Sequence, residues 1–345
     1  MNKVLLKDVC LLEKGKQIDT KMLNDSHDYK YINGGIKESG FYSSYNTDGE
    51  TVIVSEGGAS CGYVNYIDEP FWCGCHCYRL TNIKVNPKYL YYLLKGNQKN
   101  IMALRTGAAM PNIKKSSFEK LQLNIDFNST NQKSIVDELS SIETAVLLKT
   151  NQLESLNELI KSQFIEMFMD KNNKDKYPVH KWSEVVKVKH GKDYKKNIVE
   201  NGGYPVYGSG GFMGVYADDY LVDENATIVG RKGTVDKPIL VKEKFWNVDT
   251  AFGIEVDKET LNPIFFYVRS TMYDLRSMST STTLPSMTKD TLNNIDIGVP
   301  PIELQNEFAS FVEQIDKSKF IVQKQIDDLQ ELLDSKMQEY FGEEE

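Results

Sequence analysis

The stretch that decides the fold of this 345-residue chain, residues 131–168, reads NQKSIVDELSSIETAVLLKTNQLESLNELIKSQFIEMF. It contains no Gly or Pro, and its apolar residues recur at alternating steps of four and three. Because a 3.5-residue repeat keeps one stripe facing a partner helix, the stretch predicts a coiled-coil helix of about four heptads. Apart from interruptions at Lys149 and Gln163, its seam consists of Ile135, Leu139, Ile142, Val146, Leu153, Leu156, Ile160 and Met167.

A second copy of this seam follows in the same register at the end of the chain. A single helix of this kind could be the buried helix of any domain. Two copies in the same register can instead pair with each other through their apolar seams. About 37 residues at 1.5 Å each give a rod near 55 Å, so an antiparallel pair would hold two globular parts at opposite ends. The second seam, interrupted at Lys319 and Lys336, consists of Phe308, Val312, Ile315, Val322, Ile326, Leu329, Leu333 and Tyr340.

The regions before the two helices repeat one another as well, which predicts a duplicated domain. The predicted order is a first domain at 1–128, a long helix at 129–170, a linker at 171–177, a second domain at 178–301 and a second long helix at 302–341. The matching segments are Gly15-Lys16 with Gly191-Lys192, Tyr31 to Gly35 with Tyr204 to Gly208, Thr51 to Val54 with Ala226 to Val229, Phe71-Trp72 with Phe245-Trp246, Asn86-Pro87 with Asn262-Pro263, and Met110-Pro111 with Leu284-Pro285.

Each domain combines strand and helix patterns, so the fold class is α+β. The β-branched runs 51–54, 78–80, 227–229 and 252–256 predict strands. Asn86-Pro87 and Asn262-Pro263 each open an apolar run, which predicts helices with Asn as N-cap and Pro at the first position. The resemblance of these pairs to the amine-binding loop of amino-methyltransferases is weaker, since both copies lack that loop's second Pro.

Composition indicates a cytoplasmic protein without a membrane span or signal peptide. The net charge is −8, but residues 1–128 have a balance of +3 and residues 178–301 a balance of −1. The acidity therefore belongs to the helices and tail, and it does not argue against nucleic-acid binding by the domains. Five cysteines in a chain of this length do not predict a disulfide framework.

No residue pattern predicts catalysis or a metal in this chain. Cys73, Cys75 and Cys77 could place thiols on one face of a strand, but their spacing is not that of a zinc knuckle and the second domain does not repeat it. Buried thiols are the preferred interpretation, and metal analysis of the protein would decide. The Gly-rich run at 208–211 lacks the strand and long helix of a nucleotide site, and no His lies beside a repeated nucleophile.

Duplicated loops of small, basic and aromatic residues are the candidates for binding. Such residues suit phosphate contacts and the reading of base edges, and loops that are duplicated yet differ in sequence indicate two related surfaces for different targets. Solvated turns are the alternative for each loop. The candidate DNA-binding residues are Lys14, Lys16, Gln17, Asn33, Gly34, Gly35, Tyr42, Thr106, Met110, Pro111, Asn112, Lys192, Tyr207, Ser209, Arg231, Lys232, Thr280, Ser281, Thr282, Thr283 and Leu284.

The order of parts and several motifs resemble the DNA specificity (S) subunit of type I restriction-modification systems. The motifs are Gly191-Lys192, the run from Tyr204 to Gly211, the run from Ile228 to Gly233, the loop ending at Leu284-Pro285, and Pro300-Pro301 before the second helix. The first domain departs from the pattern, because it has Glu56-Gly57-Gly58-Ala59 in place of an Arg-Lys-Gly turn.

The resemblance implies two target-recognition domains joined by two long helices that form an intramolecular antiparallel coiled coil with pseudo-twofold symmetry. It implies a non-catalytic subunit that reads a bipartite target in double-stranded DNA. It also implies that two methyltransferase (M) subunits and the restriction/translocase (R) subunits bind this chain and carry the S-adenosylmethionine, ATP and Mg, while this chain has no cofactor of its own. The alternatives are a protein-protein adaptor that binds no DNA and a methyltransferase in its own right.

Overall fold

The computed structural model of the chain describes residues 2–107, 109–279 and 285–342. The chain divides into two compact units, the first formed by Met1–Lys149 with Gln325–Glu345 and the second by Thr150–Lys324. Each unit therefore holds one globular domain and a part of each long helix. Within the described ranges, no helix is both long enough and apolar enough to cross a membrane.

The first domain contains a four-stranded sheet of order β2-β8-β5-β6, a three-stranded sheet of order β4-β3-β7 and the pair β1-β9. Its strands are β1 (Asn2–Leu5), β2 (Leu11–Lys14), β3 (Tyr29–Ile32), β4 (Phe41–Tyr42), β5 (Thr51–Ser55), β6 (Val64–Ile67), β7 (Trp72–Cys73), β8 (Cys77–Thr81) and β9 (Gln122–Ile125). Its helices are α1 (Leu6–Val9), α2 (Pro87–Gly96), α3 (Gln98–Ala103) and α4 (Lys115–Phe118), with a 3-10 turn at Thr20–Met22, and α5 (Ser129–Phe168) follows.

The second domain repeats this arrangement with sheets of order β11-β18-β15-β16 and β12-β14-β13-β17 and the pair β10-β19. Its strands are β10 (Val179–Lys181), β11 (Val186–His190), β12 (Ile198–Val199), β13 (Tyr204–Gly208), β14 (Gly211–Ala217), β15 (Ala226–Gly230), β16 (Ile239–Val241), β17 (Trp246–Asn247), β18 (Ala251–Val256) and β19 (Asp296–Gly298). Its helices are α6 (Trp182–Val185), α7 (Pro263–Thr271) and α8 (Lys289–Asn293), and α9 (Ile302–Phe341) follows.

The two domains correspond strand for strand, with β12 an addition in the second. In both, one short strand pairs in parallel with the strand that carries the Trp: Tyr31 lies opposite Trp72, and Val206 lies opposite Trp246. Tyr31 therefore corresponds to Val206, and the match of Tyr31 with Tyr204 expected from the sequence is wrong by two positions. The second domain has a longer hairpin with an irregular register at Pro205/Tyr207, and the shared Tyr was a misleading marker.

The predicted strands and capped helices are confirmed. Asn86 accepts hydrogen bonds from the backbone N–H of Lys88 and Tyr89, and Asn262 accepts them from Ile264 and Phe265. These N–H groups have no partner inside their helices, so the Asn side chains satisfy them.

The two predicted long helices are also confirmed, each 40 residues long. All the seam residues from Ile135 to Ile160 and from Phe308 to Leu333 are buried or half-buried. In the first unit, Ile135 and Leu139 of α5 share a core with Leu333 and Met337 of α9. In the second unit, the end of α5 packs with the beginning of α9, because Phe164 contacts Phe308 edge to face at 5.4 Å between ring centroids. The beginning of each helix thus packs with the end of the other, as an antiparallel pairing requires.

A buried glutamine joins each long helix to its domain. The Gln132 side chain of α5 accepts a hydrogen bond from Asn86 N at 2.9 Å and donates one to Asp126 O at 2.6 Å. The Gln305 side chain of α9 accepts one from Asn262 N at 2.9 Å and donates to Pro300 O and Thr260 O. Both glutamines are almost completely buried. The same polar link therefore fixes the start of each long helix against the N-cap of the short helix beside it.

Candidate nucleic-acid interface

In each domain the candidate loops gather at one end of the sheets. In the first domain, β2, β3 and β5 all end around the turn at 73–77 that precedes β8. In the second domain, β11, β13 and β15 end around the equivalent turn at 247–251. The strands before the candidate loops pair with the strands on either side of these turns, so all the loops lie next to the turns. The order of the segments in the sequence does not show this proximity.

The Gly-Lys turns have the same geometry in both domains. The backbone N–H of Lys16 donates to Cys73 O at 2.8 Å, and that of Lys192 donates to Asn247 O at 3.0 Å. The indole N–H of Trp72 binds Lys16 O, and that of Trp246 binds Lys192 O. A Cβ at Gly15 or Gly191 would collide with backbone carbonyls of these turns. The backbone is therefore fixed, while both lysine side chains are exposed and available to an anionic ligand.

The Asn33-Gly34-Gly35 loop lies against the 73–77 turn. Asn33 Oδ1 accepts a hydrogen bond from His76 N at 3.2 Å, and Gly34, with φ +89°, donates its N–H to the Cys77 thiol sulfur at 3.0 Å. The Asn33 carbonyl oxygen is thus occupied within the domain, and Gly35 is half-buried.

Two further candidates lie beside this loop. Gln17 donates to Ile18 O and accepts a hydrogen bond from the Cys75 thiol at 2.9 Å. Tyr42 packs edge to face on Trp72 at 4.9 Å between ring centroids. Both side chains therefore adjoin the Gly-Lys turn of the first domain.

In the second domain the β13–β14 hairpin lies beside the turn that follows β15. Ser209 sits at the tip of the hairpin, 3.1 Å from the position a Cβ at Gly230 would occupy. Tyr207 packs between Phe212 and Phe245, and its burial raises the pKa of its hydroxyl. Ser209 and the Arg231-Lys232-Gly233 turn therefore form one surface.

In both domains a proline carbonyl from a later loop binds the Gly-containing turn that follows a central strand, β5 in the first domain and β15 in the second. Gly58 donates its N–H to Pro111 O, and Gly233 donates to Pro285 O; both glycines have φ +79°. Thr106 and Asn112 bridge the base of the first loop by paired backbone hydrogen bonds, and Met110 at its tip is 79% exposed. The corresponding candidates Thr280, Ser281, Thr282, Thr283 and Leu284 lie outside the described residues.

A group of three side chains at these strand ends, here the strand-end cluster, differs between the domains. In the first domain it comprises Lys14, Glu56 and Tyr78, and in the second His190, Arg231 and Phe252. Lys14 Nζ lies 2.8 and 2.7 Å from the two carboxylate oxygens of Glu56, and the Tyr78 hydroxyl donates to Glu56 at 3.1 Å. Burial, followed by the charge of Glu56, raises the pKa of Tyr78.

The same position is cationic in the second domain. Arg231 Nη1 donates to Asp249 O at 3.2 Å, and the exposed Lys232 follows it. His190 contacts the Phe252 ring with 5.0 Å between centroids. The turn after β5 in the first domain thus has a buried, ion-paired carboxylate, Glu56, where the turn after β15 in the second domain has the cation Arg231.

The three clustered cysteines do not lie on one strand face, so that part of the sequence interpretation is wrong. Cys73 ends β7, residues 74–76 form a turn, and Cys77 begins β8. Cys73 and Cys77 are buried and Cys75 is half-buried. Across the described residues there is no group of three His, Cys, Asp or Glu arranged to hold a metal ion.

Sequence reasoning missed four residues, two in each domain. Glu56 and Tyr78 were not candidates, although an acidic residue in a Gly-rich turn after a buried strand was a visible signal. Met213 and Tyr216 are exposed on β14, and Tyr216 continues an aromatic row through Phe212. Their spacing along a Gly-rich strand could have identified them.

Comparison with known proteins identifies the domain that is duplicated. The sequence pattern of the type I restriction modification DNA specificity domain matches residues 1–158 and again 174–331. A protein described as a type I specificity subunit of Mycoplasma genitalium is 24% identical over 349 residues, covering 96% of this chain and 91% of that protein. One from Mycoplasma pneumoniae is 28% identical over 214 residues, covering 58% of this chain and 56% of that protein.

Solved structures agree in fold. The crystal structure of a type I restriction-modification S subunit from M. genitalium superposes with a TM-score of 0.69 at 22% identity, covering 100% of this chain and 96% of that one. A chain from a structural study of complex assembly in a type I restriction-modification system superposes with a TM-score of 0.56 at 12% identity, covering 99% and 97%. The duplicated domains, the paired long helices and the family pattern that spans both halves lead to one conclusion: the chain belongs to the type I restriction-modification DNA specificity family, as a non-catalytic DNA sequence-specificity subunit with two recognition domains.

Proposed function

We propose that this subunit reads a bipartite target in double-stranded DNA, one half-site per domain. The observation that carries the proposal is the duplicated loop surface, which has the same backbone frame in both domains but different side chains. The shared backbone frame suggests that both domains dock on DNA in the same orientation. The different side chains suggest that the two domains recognise different bases. The candidate residues Lys16, Gln17, Lys192, Arg231 and Lys232 would supply the contacts.

We also propose that two methyltransferase subunits dock on the long helices, that restriction/translocase subunits join through them, and that the complex works in the cytoplasm. S-adenosylmethionine, ATP and Mg would then be bound by those partners. The support comes from apolar residues outside the seam that are exposed at equivalent positions of the duplicated sequence in both helices. They are Leu147 with Phe320, Leu148 with Ile321, and Leu159 with Leu332.

Such side chains are costly to leave in water, and a docking surface is the usual reason for an exposed apolar patch. Because the patch occurs once in each copy of the duplicated sequence, two copies of one partner are the fitting occupants.

Selection of DNA from a randomised library by the complex with its methyltransferase subunits tests the reading of a bipartite target. We expect two short specified blocks separated by an unspecified spacer. Replacing residues 178–301 with the second domain of another specificity subunit should change one block and leave the other unchanged. A single contiguous block, or binding without base preference, would contradict the proposal.

Native mass spectrometry tests the docking surface. The double change Leu147→Glu and Leu148→Glu should reduce the bound methyltransferase subunits from two to one, and Phe320→Glu with Ile321→Glu should do the same. Asn157→Glu, at an exposed polar position of α5, is the control and should keep both subunits. Retention of two subunits by both double variants would exclude these residues as the docking surface.

A further inference from the structure

We infer that the strand-end clusters contact DNA in electrostatically different ways, through a neutral Lys14–Glu56 pair in the first domain and an uncompensated Arg231 cation in the second. The inference rests on the proposed reading of DNA by both domains. It assigns Glu56 as a positioning residue that holds and neutralises Lys14.

The backbone establishes which residues are equivalent. Lys14 pairs with Tyr78 across β2 and β8, and His190 pairs with Phe252 across β11 and β18. Glu56 donates its backbone N–H to His76 O, and Arg231 donates its own to Thr250 O, the same position of the following turn. Both residues also accept a backbone hydrogen bond from the end of the Pro-containing loop, from Ile113 and Met287 respectively. The three positions therefore differ in side chain on an unchanged frame.

In the first domain the carboxylate cannot itself read a base. The Glu56 side chain is 9% exposed, and its oxygens are occupied by Lys14 and by the Tyr78 hydroxyl. Lys14, in contrast, is 53% exposed. Its ammonium group has three donors, of which one makes a hydrogen bond to the carboxylate. The pair thus presents a hydrogen-bond donor at the surface without a net charge.

In the second domain the cation has no such partner. Arg231 gives one hydrogen bond to the carbonyl of Asp249, and among the described residues no carboxylate lies within ion-pair distance of it. A guanidinium group has five N–H donors, so most of them remain available. His190 and Phe252 occupy the other two positions of this cluster. The charge of Arg231 is not compensated by a carboxylate there, which favours contact with a phosphate.

The salt dependence of DNA binding distinguishes the two arrangements. Each phosphate that a protein cation neutralises adds about 0.9 to the slope of log K against log salt. Arg231 should contribute to that slope, whereas the Lys14–Glu56 pair should contribute hydrogen bonding alone.

The experiment measures affinity for the selected target over a range of salt concentrations, with the full chain in complex with its methyltransferase subunits. Arg231→Gln should make the slope shallower by about 0.9. Glu56→Gln, which keeps the size of the side chain and its acceptor oxygen, should make the slope steeper by about 0.9, since Lys14 is no longer neutralised. Lys120→Gln, at an exposed position before β9, is the control and should change neither slope nor preference.

If Glu56 had a purely structural role, Glu56→Gln would weaken DNA binding without making the salt dependence steeper, and that result would overturn the inference. Changes of the salt slope in the same direction for Glu56→Gln and Arg231→Gln would overturn it as well. The double variant Lys14→Met and Glu56→Gln removes the pair as a unit. We expect it to keep the slope of the unaltered subunit and to change base preference only in the half-site of the first domain; a changed slope would also overturn the inference. Failure of the unaltered complex to select any target would contradict the proposed function instead.

Discussion

At the scale of single residues, the buried glutamines that join the long helices to their domains are sensitive positions. Gln305→Leu removes three hydrogen bonds and leaves Asn262 N–H and the carbonyls of Thr260 and Pro300 without this partner. Because unsatisfied buried polar groups are costly, we expect the free energy of unfolding to fall by about 2–4 kcal/mol. Urea unfolding followed by tryptophan fluorescence measures it. Gln330→Leu, at an exposed position of the same helix, should change stability by less than about 0.5 kcal/mol.

The candidate site shows which residues a sequence can identify. The Gly-Lys turns and the Arg231 turn are visible in the sequence as loops that contain Gly, Lys and Arg, and their contact with DNA stays a prediction. Tyr78 has no such signal, because only strand pairing places it opposite Lys14. The position of Glu56 in a Gly-rich turn is visible in the sequence, but its contacts with Lys14 and Tyr78 are not. Asn33 was a candidate DNA-binding residue, yet its side-chain carbonyl oxygen accepts a hydrogen bond from His76 N–H. Side-chain occupancy of this kind depends on tertiary contacts between segments that lie far apart in the sequence.

At the scale of secondary-structure elements, the heptad pattern predicts which leucines of α5 stabilise the protein. Leu139 is 0% exposed, whereas Leu147 on the same helix is 60% exposed. Leu139→Ala should therefore cost about 2–5 kcal/mol of unfolding free energy through lost burial and a cavity. Leu147→Ala is the matched control and should cost less than about 0.5 kcal/mol. Equal effects of the two changes in urea unfolding would contradict the assignment of the seam.

The pairing of α5 with α9 in the first unit should depend on acid pH. Glu138 of α5 accepts a hydrogen bond from the Tyr340 hydroxyl at 2.5 Å and lies 3.2 Å from Lys336 Nζ, both on α9. These two partners, Tyr340 foremost, lower the pKa of Glu138 below its ordinary value. A carboxyl whose pKa is lowered by folding contributes stability above its unfolded pKa and loses that contribution as the pH falls through its folded pKa.

Thermal unfolding at several pH values tests this link between the helices. We expect Glu138→Gln to lower Tm near neutral pH, and the difference from the unaltered chain to shrink as the pH falls through the lowered pKa of Glu138. Asn157→Gln, at an exposed position of α5 that carries no titratable group, is the control and should show no such pH-dependent difference. A Tm difference that stays constant down to the acid range would exclude the proposed role of the Glu138 charge.

At the scale of the whole molecule, the duplication was the most informative feature of the sequence. A repeat that spans half of the chain predicted two equivalent domains before any element was known, and the strand orders of the two domains confirm it. The sequence could not reveal β12 or the shifted register of the β13 hairpin. Local insertions change the length of a loop or hairpin but leave the order of the sheet strands unchanged, so a sequence repeat does not locate them.

The helices α5 and α9 each continue from one compact unit into the other, so their length should set the spacer of the DNA target. Adding three heptads to both helices, after Thr150 and after the equivalent Gln323, keeps both seams in register. The roughly 21 added residues lengthen each helix by about 31 Å, close to one turn of DNA, about 34 Å. We therefore expect the preferred spacer to grow by about nine or ten base pairs, with both half-sites unchanged.

Adding one heptad to both helices is the informative comparison. It adds about 10 Å, or roughly three base pairs, and so turns the second half-site by about a third of a helical turn away from its domain. DNA binding should therefore be weaker for the subunit with one added heptad in each helix than for the subunit with three, although three heptads lengthen the helices more. Selection of DNA from the randomised library with both lengthened complexes measures the spacers. If both kept the original spacer, a structure other than the two helices would have to set the distance between the half-sites.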